Sequence, residues 1–524
     1  MLTAPFYPII YVRGYAMTAS ERDETSVDPF CGFNTGSTVY RASVQKNERA
    51  RKLIFESPVL RLISDFGYQE VYENGSDIVD ADWTPRKDRK GISARSIVIY
   101  RYYEGSSSLL GDGTAKPIED YAKGLSQLIA RVRDLVVAEE GSDPKDFKCY
   151  LVAHSMGGLV ARGMLQNPAH DPERVRKSVA KFFTYGTPHN GIEVAGINVP
   201  SWLSVNEINT FNRERIAQLT GMDGVLTKYG RVDFMPASAM PIENVFCMVG
   251  TNRADYDVAA GLSRTFVGHG SDGLVKVENA SLWGLDAAGA VTQPAATAFA
   301  YRAHSGYFGI VNSEEAYQNL SRFLFGDIRV DLWLDVKTVR LPQAIEDKDV
   351  EALYQFEVAA RPKGKPWLLT RRLAEEDSPA CRTHAQLTDE NQAAARMVYL
   401  STVFLANVSR VNQDIPTLSY AMDVGIRVPD YLIQRRLWLD GHFEGSYLFR
   451  DILVVSITPP EVAGEQWKVT HGWQSQGGMS VMTPVAYRDL GAGKFEIRVP
   501  FDNPGKPGIS GEVLLSASAW NIGP

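Results

Sequence analysis

At 524 residues the chain exceeds what one ordinary hydrophobic core supports, so two domains are expected. Its 44% apolar and 22% charged residues are those of a globular protein and exclude a disordered or fibrous chain. A net charge of −7, with a pI near 5.8, argues against a nucleic-acid partner, which would need a basic face for phosphates.

No run approaches the ~18 consecutive apolar residues of a membrane span. The opening Met1-Leu-Thr-Ala-Pro-Phe-Tyr-Pro8 lacks the basic flank of a leader, so a cytoplasmic location is expected. Four cysteines, without Cys-x-x-Cys or His-x-x-x-His spacing, form neither a disulfide framework nor a zinc site. Cys149 and Cys247 fall in predicted buried strands, and Cys31 and Cys381 in loops.

Ile9-Ile-Tyr-Val12 reads as a short strand ending at Arg13-Gly14-Tyr15-Ala16. Residues 17–82 are too many for a simple strand–helix connection. They carry an acidic cluster (Glu21, Asp23, Glu24, Asp28), read as a solvated face because its spacing is not that of a calcium loop. A helix-like Val59-Leu-Arg-Leu-Ile63 follows, then a strand over 96–103. Pro117 opens an amphipathic helix that ends near Gly141, with Tyr121, Leu125, Leu128, Ile129, Val132, Leu135 and Val136 on one stripe.

The stretch from Phe147 to Arg162 is a strand, a corner and a helix in succession. Ala153-His154-Ser155-Met156-Gly157 places serine at the tip, with small residues two before and two after it. That is the nucleophile-elbow pattern, with alanine in place of the first glycine. The sharp turn exposes the hydroxyl and leaves no room for larger flanks, which makes Ser155 the candidate nucleophile.

Ala153-His-Ser-Met-Gly-Gly158 resembles the elbow of serine lipases and esterases of the α/β-hydrolase fold. A second match lies one strand later, where Phe182-Phe-Thr-Tyr-Gly-Thr-Pro-His-Asn-Gly191 resembles the Gly-Thr-Pro-His-x-Gly segment of many lipases. The resemblance implies an early strand delivering a glycine-bearing loop beside the nucleophile. Arg13 stands where that loop often has histidine. The oxyanion donors it implies are the main-chain N–H groups of Tyr15 and Met156. His189, in the Gly-Thr-Pro-His segment, would shape the pocket without serving as base.

Strands over 179–185 and 243–250 continue an alternation of strands and amphipathic helices, which means a mostly parallel sheet covered on both faces. Residues 191–240 interrupt it, with a helix-like 212–219, and either form a lid or add packing helices. In this fold the order is serine, then acid, then histidine. Gly268-His-Gly-Ser-Asp-Gly-Leu-Val275 resembles the acid loop of bacterial lipases, pointing to Asp272, ahead of Asp233, Asp255 and Asp257. His304 lies on a loop before the last helix, 312–325, where the fold places its base; His269 is the runner-up, and His170 lies past the elbow helix.

After Gly326 the apolar period switches to two, over 327–336, 353–359, 397–408, 421–428 and 511–520. The expected architecture is therefore an α/β-hydrolase domain over 1–326 and an all-β, sandwich-like domain over 327–524. The expected activity is a lipase-like carboxylic-ester hydrolase acting through Ser155, Asp272 and His304, with no cofactor and no metal. Its partner would be an ester or lipid substrate, with room for peripheral contact with a lipid surface. Thioester cleavage, acyl transfer by the same residues, and a binding protein on a hydrolase fold are the rivals.

Overall fold

The computed structural model describes residues 5–14, 37–41, 51–55, 58–71, 78, 83–100, 102, 116–194, 197–198, 212–253, 270–304, 309–410, 414–415, 417–433, 441–458, 467–477, 480–491 and 493–521. The chain divides into two compact units, Pro5–Thr297 with Arg302–Leu320, and Ser321–Pro524 with Ala298–Tyr301.

The first unit is built on a seven-stranded sheet. Its strands are β1 (Ile9–Val12), β2 (Gln69–Glu70), β3 (Ser96–Tyr100), β4 (Cys149–His154), β5 (Val179–Tyr185), β6 (Val245–Gly250) and β7 (Ala296–Ala300). They lie in the order β7-β6-β5-β4-β1-β3-β2. The pairings of β1 with β3 and β4, of β5 with β4 and β6, and of β2 with β3 are parallel. Every residue of β1, β3 and β6 is buried, as a parallel sheet covered on both faces requires.

Helices α1 (Pro58–Phe66), α2 (Ile118–Glu140), α3 (Met156–Gln166), α4 (Arg213–Thr220), α5 (Asp223–Tyr229) and α6 (Glu314–Phe325) accompany the sheet. Pro117 stands at the N-cap of α2, and Gly141 closes it in the left-handed conformation, donating to Val137 O. Its buried stripe of Tyr121, Leu125, Leu128, Ile129, Val132 and Val136 joins the core beneath the sheet, with Leu135 partly buried beside it. Helix α4 begins at Asn212, whose side chain caps Glu214 N, and it packs Ile216, Ala217 and Leu219 inward. Residues 195–196 and 199–211 of the proposed lid lie outside the described residues.

The strand order reverses at β1. The chain leaves β1 for β3 on one side and returns with β4 on the other, with Val12 level with Ala153. In open α/β sheets the crevice outside the carboxyl ends at such a reversal is where ligands bind. Ser155 sits at that point.

The second unit is antiparallel. One sheet runs Met397–Leu405, Ile328–Arg340, Gly508–Ala519, Lys494–Asn503, Tyr487–Gly491. The other runs Thr370–Arg372, Val350–Pro362, Leu418–Ile433, Gly441–Thr458, Lys468–Trp473, Thr483–Pro484, with Ala380–Thr383 also on Val350–Pro362. Both sheets send alternate side chains into one core, including Leu332, Leu334, Phe356, Val424, Ile497 and Val513. This is the expected β-rich, sandwich-like region. Cys381, expected in a loop, lies on the short strand Ala380–Thr383.

Candidate active site

The corner after β4 holds Ser155 at φ 51° and ψ −127°, a conformation an L side chain adopts only when its surroundings impose it. Two hydrogen bonds impose it: Ser155 N–H donates to Tyr185 O at 2.9 Å, and Gly158 N–H donates to Ser155 O at 3.0 Å. The turn also brings α3 hard against β1. A Cβ on Gly157 would lie 2.3 Å from Val12 O and 2.4 Å from Arg13 O, so no side chain fits there.

Asp272 is held by its own loop. Its Oδ1 accepts from Leu274 N at 3.0 Å and Val275 N at 2.8 Å, which leaves Oδ2 turned outward. His304 Nδ1 meets that oxygen at 2.8 Å, and His304 Nε2 lies 2.9 Å from Ser155 Oγ. Since a carboxylate only accepts, Nδ1 carries the proton and Nε2 faces the hydroxyl as an acceptor. The main chain adds a further tie, His304 N–H to Asp272 O at 2.9 Å. Gly186, at φ 49° after β5, makes the space: a Cβ there would sit 2.9 Å from Asp272 Oδ2 and 3.1 Å from His304 Nδ1.

Thus three residues spread over 149 positions of sequence form one hydrogen-bonded chain. Their exposures are 6% for Ser155, 1% for Asp272 and 2% for His304, so little water competes for these bonds. Chemically, such a chain can take the serine proton onto imidazole and stabilise the resulting cation by the carboxylate.

Met156 N–H is the first of α3, where helical amides have no intrahelical partner and the dipole favours negative charge. Gly14 lies beside it, since a Cβ there would come within 3.0 Å of Ser155 Cβ. Tyr15 lies outside the described residues, as do His269, Asp255 and Asp257. Asp233 is occupied elsewhere, accepting from Arg231 at 2.7 Å. His189 is buried with Nε2 against Thr184 Oγ1 at 3.2 Å, and burial, then the nearby Arg162, holds its basicity well below the ordinary value. Among the described residues no cluster of three or more His, Cys, Asp or Glu is arranged to hold a metal.

Sequence reasoning missed two contributors. Arg162 is fully buried on α3 and donates to His189 O at 2.8 Å, Val232 O at 2.6 Å and Phe234 O at 3.1 Å, fastening the elbow helix to the segment after β5. Burial lowers its basicity to about 10. The available signal was a lone charge in α3, whose other residues through Leu165 are apolar or glycine. The other is His154, the residue before the serine. Its Nε2–H donates to His304 O at 2.9 Å, and burial first, then His304 and Arg13, push its basicity down to about 3.

Residues 113–243, which span α2 through α5, match the family described as a PGAP1-like alpha/beta domain. A search of curated proteins by sequence finds no match. Among solved structures, lipase BlEst2 of Bacillus licheniformis in its mature form is 13% identical, covering 53% of this chain and 80% of that one, with a TM-score of 0.25. The product of gene lin2722 of Listeria innocua is 12% identical, covering 61% and 94%, with a TM-score of 0.25. Phospholipase PlaB of Legionella pneumophila, in complex with thio-NAD, is 12% identical, covering 84% and 89%, with a TM-score of 0.30. The chain therefore has an α/β-hydrolase fold, similar over residues 113–243 to the PGAP1-like alpha/beta domain, with a β-rich region after it.

Proposed function

We propose that the protein hydrolyses carboxylic esters, lipids among them, through an acyl-enzyme on Ser155. The observation that carries this reading is the chain Asp272–His304–Ser155, with links of 2.8 and 2.9 Å. Ser155 Oγ attacks the ester carbonyl as His304 Nε2 takes its proton, and Asp272 Oδ2 holds the imidazole in the tautomer that can do so. The carbonyl oxygen becomes an oxyanion, held by Met156 N–H at the start of α3 and, as the sequence resemblance implies, by Tyr15 N–H. His304 then returns the proton to the leaving alcohol. Water enters, gives a proton to the same nitrogen and attacks the acyl carbon, which releases the acid and regenerates the serine.

A panel of p-nitrophenyl esters of graded chain length, with a triglyceride emulsion alongside, tests the proposal. Turnover by the wild type that vanishes in Ser155→Ala is the expected result. Absence of any Ser155-dependent ester turnover would overturn it, and higher yields with alcohol acceptors than with water would redefine it as acyl transfer.

A further inference from the structure

We infer that His154 is a positioning residue, whose side-chain N–H clasps the carbonyl of His304 and so sets the distance between base and nucleophile. This rests on the reading of Ser155 and His304 given above.

The geometry is a closed circuit. His304 is gripped at both ends of its own main chain: its N–H donates to Asp272 O at 2.9 Å, and its carbonyl accepts from His154 Nε2 at 2.9 Å. His154 is joined by a peptide bond to Ser155. The circuit therefore runs from the serine, through its neighbour's ring, to the backbone of the base, and back through the imidazole to Ser155 Oγ at 2.9 Å. Because β4 ends at His154, the clasp starts from the middle strand of the buried sheet.

The ring is fixed on its other side too. A Cβ on Gly14 would lie 2.8 Å from His154 Nδ1 and 3.4 Å from its Cε1, so the end of β1 closes over the imidazole. The His154 and His304 rings lie 4.9 Å apart, tilted by 39°. A carbonyl can only accept, so Nε2 of His154 carries a proton. Burial and the neighbouring His304 and Arg13 keep the ring neutral, so Nδ1 is bare where Gly14 crowds it. A charged ring here would place a second cation beside the imidazolium that forms at His304 during attack. A neutral one supplies the same hydrogen bond without opposing that charge.

The test separates the hydrogen bond from the ring. His154→Phe keeps the volume and loses the donor; His154→Gln loses the ring but extends an amide N–H to about the same reach. Wild type, Ser155→Ala and both variants are compared for p-nitrophenyl ester kcat and KM, fluorophosphonate labelling rate and melting temperature. His154→Phe should lower kcat and the labelling rate together by roughly 10- to 100-fold, the scale of a misplaced reacting group, with KM almost unchanged. His154→Gln should recover to within roughly threefold of wild type. A Phe variant retaining half the wild-type rate overturns the clasp, and so does a Gln variant as slow as Phe. Labelling of wild type but not of Ser155→Ala upholds the nucleophile whatever His154 does. Failure of wild type to label at Ser155 removes both readings.

Discussion

Ser155, the first residue past β4, and Tyr185, the last residue of the neighbouring β5, are tied through their main chains, N–H to carbonyl, at 2.9 Å. The bond holds the serine at φ 51°, so the turn's strain is carried by strand pairing rather than by the side chain. Replacing the side chain should therefore separate chemistry from stability. Ser155→Ala should abolish turnover and fluorophosphonate labelling while leaving the melting temperature nearly unchanged. Ser155→Gly should be equally inactive but more stable by roughly 1 kcal/mol, because glycine adopts positive φ without cost. Thermal melts of both variants check this; a Gly variant that melts below Ala would contradict the strain argument.

Removing either partner of the serine should disable the same step. His304→Ala should lower kcat by ~10³-fold or more, and combining it with Ser155→Ala should add little. Asp272→Asn should be severe as well, since an amide can hold the imidazole in the wrong tautomer and cannot stabilise imidazolium. His269→Ala is expected to cost ~10-fold or less, about 1.4 kcal/mol of barrier. Steady-state kinetics on one ester decides, and a deeper loss in His269→Ala than in His304→Ala would reassign the base.

Stability should fall on mild acidification. Burial holds His189 well below the ordinary imidazole value, and His154 and His170 are lowered as well. The unfolded chain binds a proton at pKa ~6.5 that the folded state refuses, so stability is full above that pH and lost as pH falls below it. His189 alone contributes a slope of ~1.4 kcal/mol per pH unit until its folded pKa is reached. Melting temperature should drop between pH 7 and 5, and His189→Gln should flatten part of the drop. A flat profile in the wild type would contradict it.

Two separate cores should unfold in two steps. The cluster around Leu151, Leu159 and Phe182 and the cluster around Phe356, Val424 and Ile497 share no residue. Scanning calorimetry should resolve two transitions, and Ile497→Ala, a loss of ~2–5 kcal/mol, should lower only one of them. If both move together, the units are not independent.

Much of the hydrolase unit was legible because its signals are local. The elbow is a matter of small residues at fixed spacing, and Val179–Tyr185 is a short run rich in β-branched and aromatic residues between turns. Asp272 stands out by its glycine-flanked loop and His304 by its place before the last helix, and the structure brings their side chains within 2.8 Å. The His154 clasp was not legible, because it joins residues 150 apart and the elbow pattern leaves that position unspecified. The strand Gly441–Thr458 escaped for another reason. Phe449 pairs with Ile426 and Tyr447 with Arg427, so Leu448 is an extra residue in a bulge. The buried set shifts phase there, from Leu448 to Leu453, Val455 and Ile457, and period two is broken.

The central position of β1 bears on how the protein is made. Ile9 needs both Ile97 and Tyr150 as neighbours, and the second is synthesised about 140 residues after the first strand. At ~5–20 residues per second, an Ile-Ile-Tyr-Val strand that is wholly apolar waits on the order of ten seconds for its second neighbour. During that interval it is an open edge, the kind of surface that holdase chaperones cover and that aggregates in concentrated refolding mixtures. Recovery of active enzyme from denaturant should therefore fall steeply with protein concentration, and a holdase present from the start should restore it.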